Sequence, residues 1–192
     1  MSKTQSKRLW FWWSVFLVLL AIGILFAVRL SHLDIKFPSS QPGLYRVVAV
    51  DDGDTITVDM NGSVETIRFI GVDTPETHKP DTPVQCYGPE ATDYTKNLIG
   101  RQKVRLQADP LNTNRDRYGR LLRYVYLPDS TLLEQMLLTE GYGFAYTFFP
   151  LSKAQEFEVY EQQAKTAGKG LWSACQVKIE ASGVKQTNPA TE

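Results

Sequence analysis

Two turn-forming dipeptides, Asp52-Gly53 and Asn61-Gly62, interrupt an alternating, β-branched stretch that runs from Leu44 to Ile70. Such pairs adopt the positive φ angles of tight hairpins, so the three runs between them cannot merge into one helix. Leu44 to Asp51, Thr55 to Met60 and Ser63 to Ile70 are therefore expected to form a three-stranded antiparallel meander. Ile56, Val58 and Met60 share one face of the second run, and in the third Val64 and Thr66 alternate out of phase with Ile67 and Phe69.

After a loop containing Pro75, Pro80 and Pro83, Pro89-Glu90 marks the first turn of a helix, with Ala91, Tyr94 and Leu98 at helical spacing until Gly100. Val104, Leu106 and Ala108 alternate as a fourth strand, Leu121 to Leu127 makes a fifth, and the polar segment Pro110 to Gly119 loops between them. Leu132, Leu133, Met136 and Leu137 outline an amphipathic helix ending at Gly141. Ser152 and Gln155 form a capping box for a last helix that uses Phe157, Tyr160 and Ala164. Gly168 and Gly170 end it, Leu171-Trp172 folds back on the core, and the polar tail at 177–192 is expected to be disordered. This order describes an α+β protein: a five-stranded OB-fold Greek-key β-barrel with three α-helices, preceded by one N-terminal transmembrane helix.

The transmembrane expectation rests on Leu9 to Val28, which contains no charged residue. At ~1.5 Å per residue a helix of that length spans about 30 Å, the thickness of a bilayer's hydrocarbon. Lys3, Lys7 and Arg8 precede it, so residues 1–8 are expected in the cytoplasm, 9–28 as a single-pass signal anchor in the cell membrane, 29–43 as a linker, and 44–176 as an extracytoplasmic domain. A cleaved signal peptide, which would release a secreted protein, competes with this reading, but Phe26-Ala27-Val28-Arg29 is a poor cleavage site.

Across the chain 21 basic residues balance 21 acidic ones. With Lys3, Lys7 and Arg8 flanking the anchor, the remainder is net acidic, which excludes a histone-like binder and any affinity for a polyanion by global attraction. Cys86 and Cys175, an even pair in the part placed outside, are expected to form a disulfide. A zinc site is disfavoured by so few soft ligands, with His32 and His78 far apart.

Acidic residues gather at turns and strand ends: Asp51, Asp52 and Asp54 at the first hairpin, Asp73 and Glu76 after the third strand. Taken singly, aspartates in turns serve local hydrogen bonds. As a set, oxygen donors without histidine suit a hard divalent ion, calcium or magnesium. Arg68 lies in the third strand, and Arg101, Lys103, Arg105, Arg115, Arg117, Arg120 and Arg123 form the one basic stripe of the body. A guanidinium fork matches phosphate geometry, whereas solvated strand faces are the plainer account of Arg101, Lys103, Arg105 and Arg123. No Ser-His-Asp set, phosphate-cradling loop or H-E-x-x-H motif is present, which leaves a carboxylate as the candidate general base.

Val50-Asp51-Asp52-Gly53-Asp54-Thr55-Ile56, Ile67-Arg68-Phe69-Ile70-Gly71-Val72-Asp73-Thr74-Pro75-Glu76-Thr77, Tyr87-Gly88-Pro89-Glu90-Ala91 and Asp116-Arg117-Tyr118-Gly119-Arg120 resemble, in order and spacing, the signatures of the staphylococcal nuclease family. Gly170-Leu171-Trp172 is similar to that family's C-terminal tryptophan segment, and the resemblance covers about residues 44 to 176. It implies an OB barrel that works as a calcium-dependent (Ca2+) phosphodiesterase, an endonuclease cutting single- and double-stranded DNA and RNA to 3′-phosphate products; that the nuclease domain acts as a monomer is a separate expectation. By the same resemblance Asp54, Asp73 and the Thr74 carbonyl correspond to metal ligands and Asp52 to their acidic neighbour. Arg68 and Arg120 correspond to the catalytic arginines and Glu76 to the general base. Tyr118 and Tyr146 correspond to residues near the nucleotide, while Phe148 stands where the family has a further tyrosine. A noncatalytic OB module holding nucleic acid at the cell surface is the alternative, which the filled acidic positions disfavour.

Overall fold

Two register shifts, between Val47 and Ala49 and between Val50 and Asp52, bend β1 (Leu44–Asp52) so that it pairs with two partners. Bulges of this kind sharpen the local twist and let one strand pass from one neighbour to the next. Its first residues lie antiparallel to β5 (Lys103–Gln107), with Tyr45 opposite Val104, and the remainder to β2 (Thr55–Met60), with Val50 opposite Ile56. β2 turns into β3 (Ser63–Phe69) through Asn61 and Gly62, both at positive φ as the dipeptide demands. β3 runs parallel to β6 (Leu121–Tyr126), which pairs antiparallel with β5 and so closes the barrel in the order β1-β2-β3-β6-β5. The computed structural model describes residues 43–78 and 82–190 together with Trp13, Phe16, Leu17, Leu19 and Leu20, and the chain divides into two compact units, Met1–Gln41 and Pro42–Glu192.

Ile56, Val58, Ile67, Phe69, Val104 and Val125 belong to the buried core, at alternate positions along their strands, while Tyr124, adjacent to Val125 and so on the other face of β6, is buried edge-on against Phe157 at 6.0 Å. Each such side chain contributes about 1.5–3 kcal/mol by leaving water. The core extends to α1 (Gly88–Ile99), α2 (Leu133–Thr139) and α3 (Ala154–Thr166), whose buried residues include Ile99, Leu133, Leu137 and Phe157. A four-residue α4 (Leu171–Ala174) follows, burying Leu171 and setting the Trp172 ring edge-on to Phe144 at 5.4 Å. The two-residue strands β4 (Val72–Asp73) and β7 (Phe144–Ala145) pair to form a separate ladder.

Two expectations are corrected. Residues 177–190 are an ordered hairpin, not a disordered tail: β8 (Val177–Ile179) pairs with β9 (Lys185–Thr187), and Thr187 is buried. A polar composition did not prevent order because the hairpin docks through backbone hydrogen bonds, Cys86 N to Asn188 O and Ala190 N to Val84 O, both 2.8 Å. Ser152 does not cap α3 either. Its hydroxyl and its backbone N–H both donate to Asp109 Oδ2, at 2.6 and 2.7 Å, so the buried carboxylate captures the capping side chain.

Of the apolar run at 9–28, Trp13, Phe16, Leu17, Leu19 and Leu20 are described, all helical and exposed. The rest of the expected anchor, residues 1–8 and the linker up to residue 42 lie outside the described residues. Among the described residues no helix is long and apolar enough to cross a membrane.

Candidate active site

Because Thr55 stands opposite Arg68 in the β2–β3 ladder, the first hairpin and the end of β3 meet at one end of the barrel. Asp54, in that hairpin, is buried at 5% exposure. Its Oδ1 accepts from Thr55 Oγ1 at 2.9 Å, and its Oδ2 accepts from the Thr74 backbone N–H at 2.9 Å and lies 2.9 Å from Arg68 Nη1. Arg68 Nη2 donates to Asp73 Oδ1 at 2.5 Å, and Nη1 donates to the Val72 carbonyl at 2.7 Å. The guanidinium thus bridges Asp54 and Asp73 with only 14% of its side chain exposed.

Asp52 ties this centre to its surroundings. Its Oδ1 accepts from Gly53 N, from Thr77 Oγ1 and from Thr92 Oγ1 on α1, at 2.9, 3.0 and 3.1 Å. Gly53 cannot be larger without movement, since a Cβ there would lie 2.8 Å from Thr74 Oγ1 and 3.0 Å from Ala91 Cβ. Asp51, by contrast, accepts from Thr57 Oγ1 at 2.6 Å on the exposed side of the hairpin and serves the turn alone.

The charges interact strongly. Burial pushes the Asp52 carboxyl up to about 6, with the charges of Asp54 and Glu76 adding to it. Burial also pushes Asp73 up to about 6, against the pull of Arg68 and with the repulsion of Asp54 and Glu76. Burial works against the Arg68 charge, yet Asp54, Asp73 and Asp52 outweigh it and raise the guanidinium's pKa. Asp52, Asp54 and Asp73 act on one guanidinium, and the charge of Glu76 reaches Asp52 and Asp73, so the cluster is net negative and favours a cation.

Among the described residues no group of three or more His, Cys, Asp and Glu side chains is arranged to hold a metal by itself. The donors that are present nonetheless fit a hard ion, which accepts backbone carbonyls and water beside a pair of carboxylates. Asp54 and Asp73 supply the pair, Thr74 follows Asp73 directly, and the Thr74 hydroxyl is buried without a hydrogen-bond partner.

Glu76 follows on the loop after β4. Its Oε1 accepts from the backbone N–H groups of Thr77 and His78 at 3.1 and 3.0 Å. Gln85 holds its backbone from both sides: the Glu76 N–H donates to Gln85 Oε1 and the Gln85 N–H donates to the Glu76 carbonyl, each at 2.9 Å. Arg120 arrives at the start of β6, where Leu121 pairs with Ile67, so it lies one strand over from Arg68. Asp116 fixes it, Oδ1 accepting from its N–H at 3.0 Å and Oδ2 from its Nε at 2.7 Å. Tyr118 on the same loop is 68% exposed, with the Arg117 and Arg120 guanidinium groups 4.8 and 5.4 Å from its ring centre.

Tyr146 is hung on the turn after β3 by its N–H to the Gly71 carbonyl at 2.9 Å, and its ring lies 5.0 Å from that of Phe148. A pocket of about 140 Å³ opens there, lined by Asp73, Tyr146, Phe148, Gly183 and Lys185 among others. The rest of the basic stripe is mostly occupied with structure: Arg115 forks onto Glu65 at 2.9 and 3.0 Å, Arg105 covers the Tyr126 ring at 4.0 Å, and Arg123 donates to Asn114 Oδ1 at 2.7 Å. Cys86 and Cys175 are bonded, with Cα atoms 5.9 Å apart.

The structure therefore gathers Asp52, Asp54, Arg68, Asp73, Thr74 and Glu76, and sets Arg120, Tyr118 and Tyr146 on neighbouring loops. Sequence reasoning missed Gln85, whose role needs a fold-back of the loop, and Glu134, a fully buried carboxyl on α2 whose oxygens accept from Val125 N at 3.1 and 3.3 Å. A glutamate beside Leu133 on an amphipathic helix carries no signal that it points inward.

The sequence pattern of the family described as Staphylococcal nuclease homologue matches residues 66–174. The chain is 48% identical over 130 residues to the thermonuclease of Staphylococcus hyicus, covering 67% of this chain and 75% of that protein. It is 45% identical over 127 residues to the thermonuclease of Staphylococcus intermedius, covering 66% and 73% respectively. With endonuclease YncB of Bacillus subtilis it shares 44% identity over 124 residues, 64% of this chain and 58% of that protein. A closed five-stranded barrel, the Asp54–Arg68–Asp73 bridge at its mouth and this span of similarity lead to one assignment: the chain belongs to the staphylococcal nuclease family.

Proposed function

We propose that this nuclease is a calcium-dependent, sugar-nonspecific endonuclease that hydrolyses DNA and RNA to 3′-phosphate products as a single chain. The observation that carries the reading is the bridge in which Arg68 contacts Asp54 at 2.9 Å and Asp73 at 2.5 Å, next to Glu76 and the Arg120 loop. Relatives named thermonuclease and endonuclease support it.

Asp54, Asp73 and the Thr74 carbonyl would hold the ion, with Asp52 bracing the turn that carries Asp54. When bound, calcium would neutralise a phosphate oxygen and orient a water. Glu76 directs the attack of a water and accepts its proton, with a carboxylate already fixed by the Thr77 and His78 amides. Arg68 and Arg120 hold the phosphoryl oxygens and steady the charge that accumulates on them and on the leaving 5′ oxygen. Tyr118 and Tyr146 offer rings on which bases stack. At Phe148 only stacking is available, because the side chain has no hydroxyl.

We place the nuclease domain on the outer face of a cell membrane, held by residues 9–28. The uncharged run, the basic flank before it and the Cys86–Cys175 bond, which persists in oxidising compartments, support that placement.

Incubation with single-stranded DNA and millimolar calcium should give fragments whose 3′ ends block polymerase extension until treated with phosphatase. Excess chelator should stop the cutting. DNA that is bound but left intact would identify the noncatalytic module instead, and unchanged cutting under chelation would remove the metal from the reading.

A further inference from the structure

Glu76 sits on a loop with little secondary structure of its own, so something else must fix its backbone. Gln85, a buried residue, does so at both the N–H and the carbonyl: its side-chain Oε1 accepts from the Glu76 N–H and its own backbone N–H donates to the Glu76 carbonyl, each at 2.9 Å. Gln85 is in turn tied to the segment that follows the C-terminal hairpin by an isolated β-bridge. It bridges to Pro189, Cys86 N donates to Asn188 O, Ala190 N donates to Val84 O, and Thr187 Oγ1 donates to Cys86 O at 2.8 Å. The disulfide from Cys86 to Cys175 fastens the residue next to Gln85 to the end of α4, where the hairpin begins.

The far side of the hairpin is tied as well. Lys185 Nζ meets both oxygens of Glu161, at 2.6 and 2.7 Å, and Glu161 Oε1 also accepts from Ala145 N on β7, the partner of the strand that carries Asp73. The hairpin therefore spans from the Glu76 loop to the Asp73 ladder. It also lies beyond residue 174, where the match to the family pattern ends.

We propose that Gln85 is a positioning residue for Glu76, and that the hairpin β8–β9, clasped by Cys86–Cys175, is the brace that keeps Gln85 in place. The inference rests on the catalytic reading of Glu76 given above. Its physical basis is that a carboxylate held within a few tenths of an ångström of its working position retains a rate that a wandering one loses. Substrate binding, which falls to Tyr118, Tyr146 and the arginines, is left largely alone.

The test uses the full chain, oxidised, with hydrogen exchange of individual amides as a readout independent of turnover. In the Cys86→Ser/Cys175→Ser pair the amides of Glu76, Cys86 and Ala190 should exchange about tenfold faster or more, while those of Ile56, Val58 and Ile67 in the barrel keep their protection. Gln85→Ala should accelerate the Glu76 amide alone and lower kcat about tenfold with KM within about twofold, and Gln85→Glu, which retains the acceptor oxygen, should restore the Glu76 protection. An unchanged Glu76 amide in both variants would overturn the proposal, as would a Gln85→Ala loss confined to KM. Failure of the oxidised wild type to cut DNA would instead strike the catalytic reading, and the exchange data would still decide whether the hairpin braces the loop.

Discussion

Arg68 donates to Asp73 at 2.5 Å across the turn of Ile70 and Gly71, which lets two residues five apart in sequence meet head-on. Gly71 has a φ of +76°, and a Cβ there would lie 2.7 Å from Phe157 of α3. The ion pair at the centre of the site is thus set by how the β3–β4 turn packs on the core helix.

Gly71→Ala should therefore cost about 3 kcal/mol, the sum of left-handed strain and overpacking against Phe157. Urea titration measures it, and a midpoint equal to wild type would show that the turn relaxes freely.

Arg68→Lys should lose about a thousandfold in kcat, because an ammonium cannot bridge two carboxylates and still present a fork to phosphate. Steady-state cleavage with circular dichroism as a control for folding gives the comparison. Activity within tenfold of wild type would reduce Arg68 to a structural counter-ion.

Glu76→Gln retains an oxygen for the Thr77 and His78 amides, so it should fold normally while turnover drops by about a hundredfold or more. Arg120→Ala should also fall by about a hundredfold or more, as transition-state charge loses one of its two forks. Either variant, folded and turning over at a near-normal rate, would take that residue out of the mechanism.

Glu134 provides a pH signature in stability. Its complete burial pushes the carboxyl well above the ordinary carboxylate range, only partly countered by the backbone amides of Glu134 itself and Val125 and by the charges of Lys153 and Arg68. The folded protein thus holds that proton more tightly than the unfolded chain, and the stabilisation is fully present at pH below the unfolded value and is lost as pH rises through the raised folded one. Glu134→Gln keeps the acceptor and does not ionise, so its urea midpoint should fall less steeply with rising pH than that of wild type. Parallel slopes would mean that Glu134 does not change protonation across the range.

Reduction of Cys86–Cys175, which closes a separation of 89 residues, should lower stability by about 4 kcal/mol on the chain-entropy account. Denaturation with and without dithiothreitol reads the difference. No shift would show that the non-covalent contacts of the hairpin suffice.

The meander was legible because Asp52-Gly53 and Asn61-Gly62 act through neighbours in the chain, and the inward faces of β2 and β3 follow from a period of two. Residue types alone showed only that carboxylates and arginines gather near the hairpins, and it was the family resemblance that singled out Asp54, Arg68, Asp73, Glu76 and Arg120 among them. Ser152 was misread for the opposite reason: its choice between α3 and Asp109, far away in sequence, is made only when the barrel brings Asp109 within 2.6 Å.

The sequence by itself determined the five barrel strands, the two hairpin turns between the first three of them, the set of oxygen and guanidinium groups and the pairing of two cysteines, since each depends on local geometry or on residue chemistry. Tertiary structure alone decided that Arg68 bridges Asp54 and Asp73, that Glu134 is buried, and that a polar C-terminal segment becomes a sheet against the Glu76 loop. Those outcomes depend on the separation of groups far apart in the chain, and on the loss of water around them, neither of which exists until the barrel has closed.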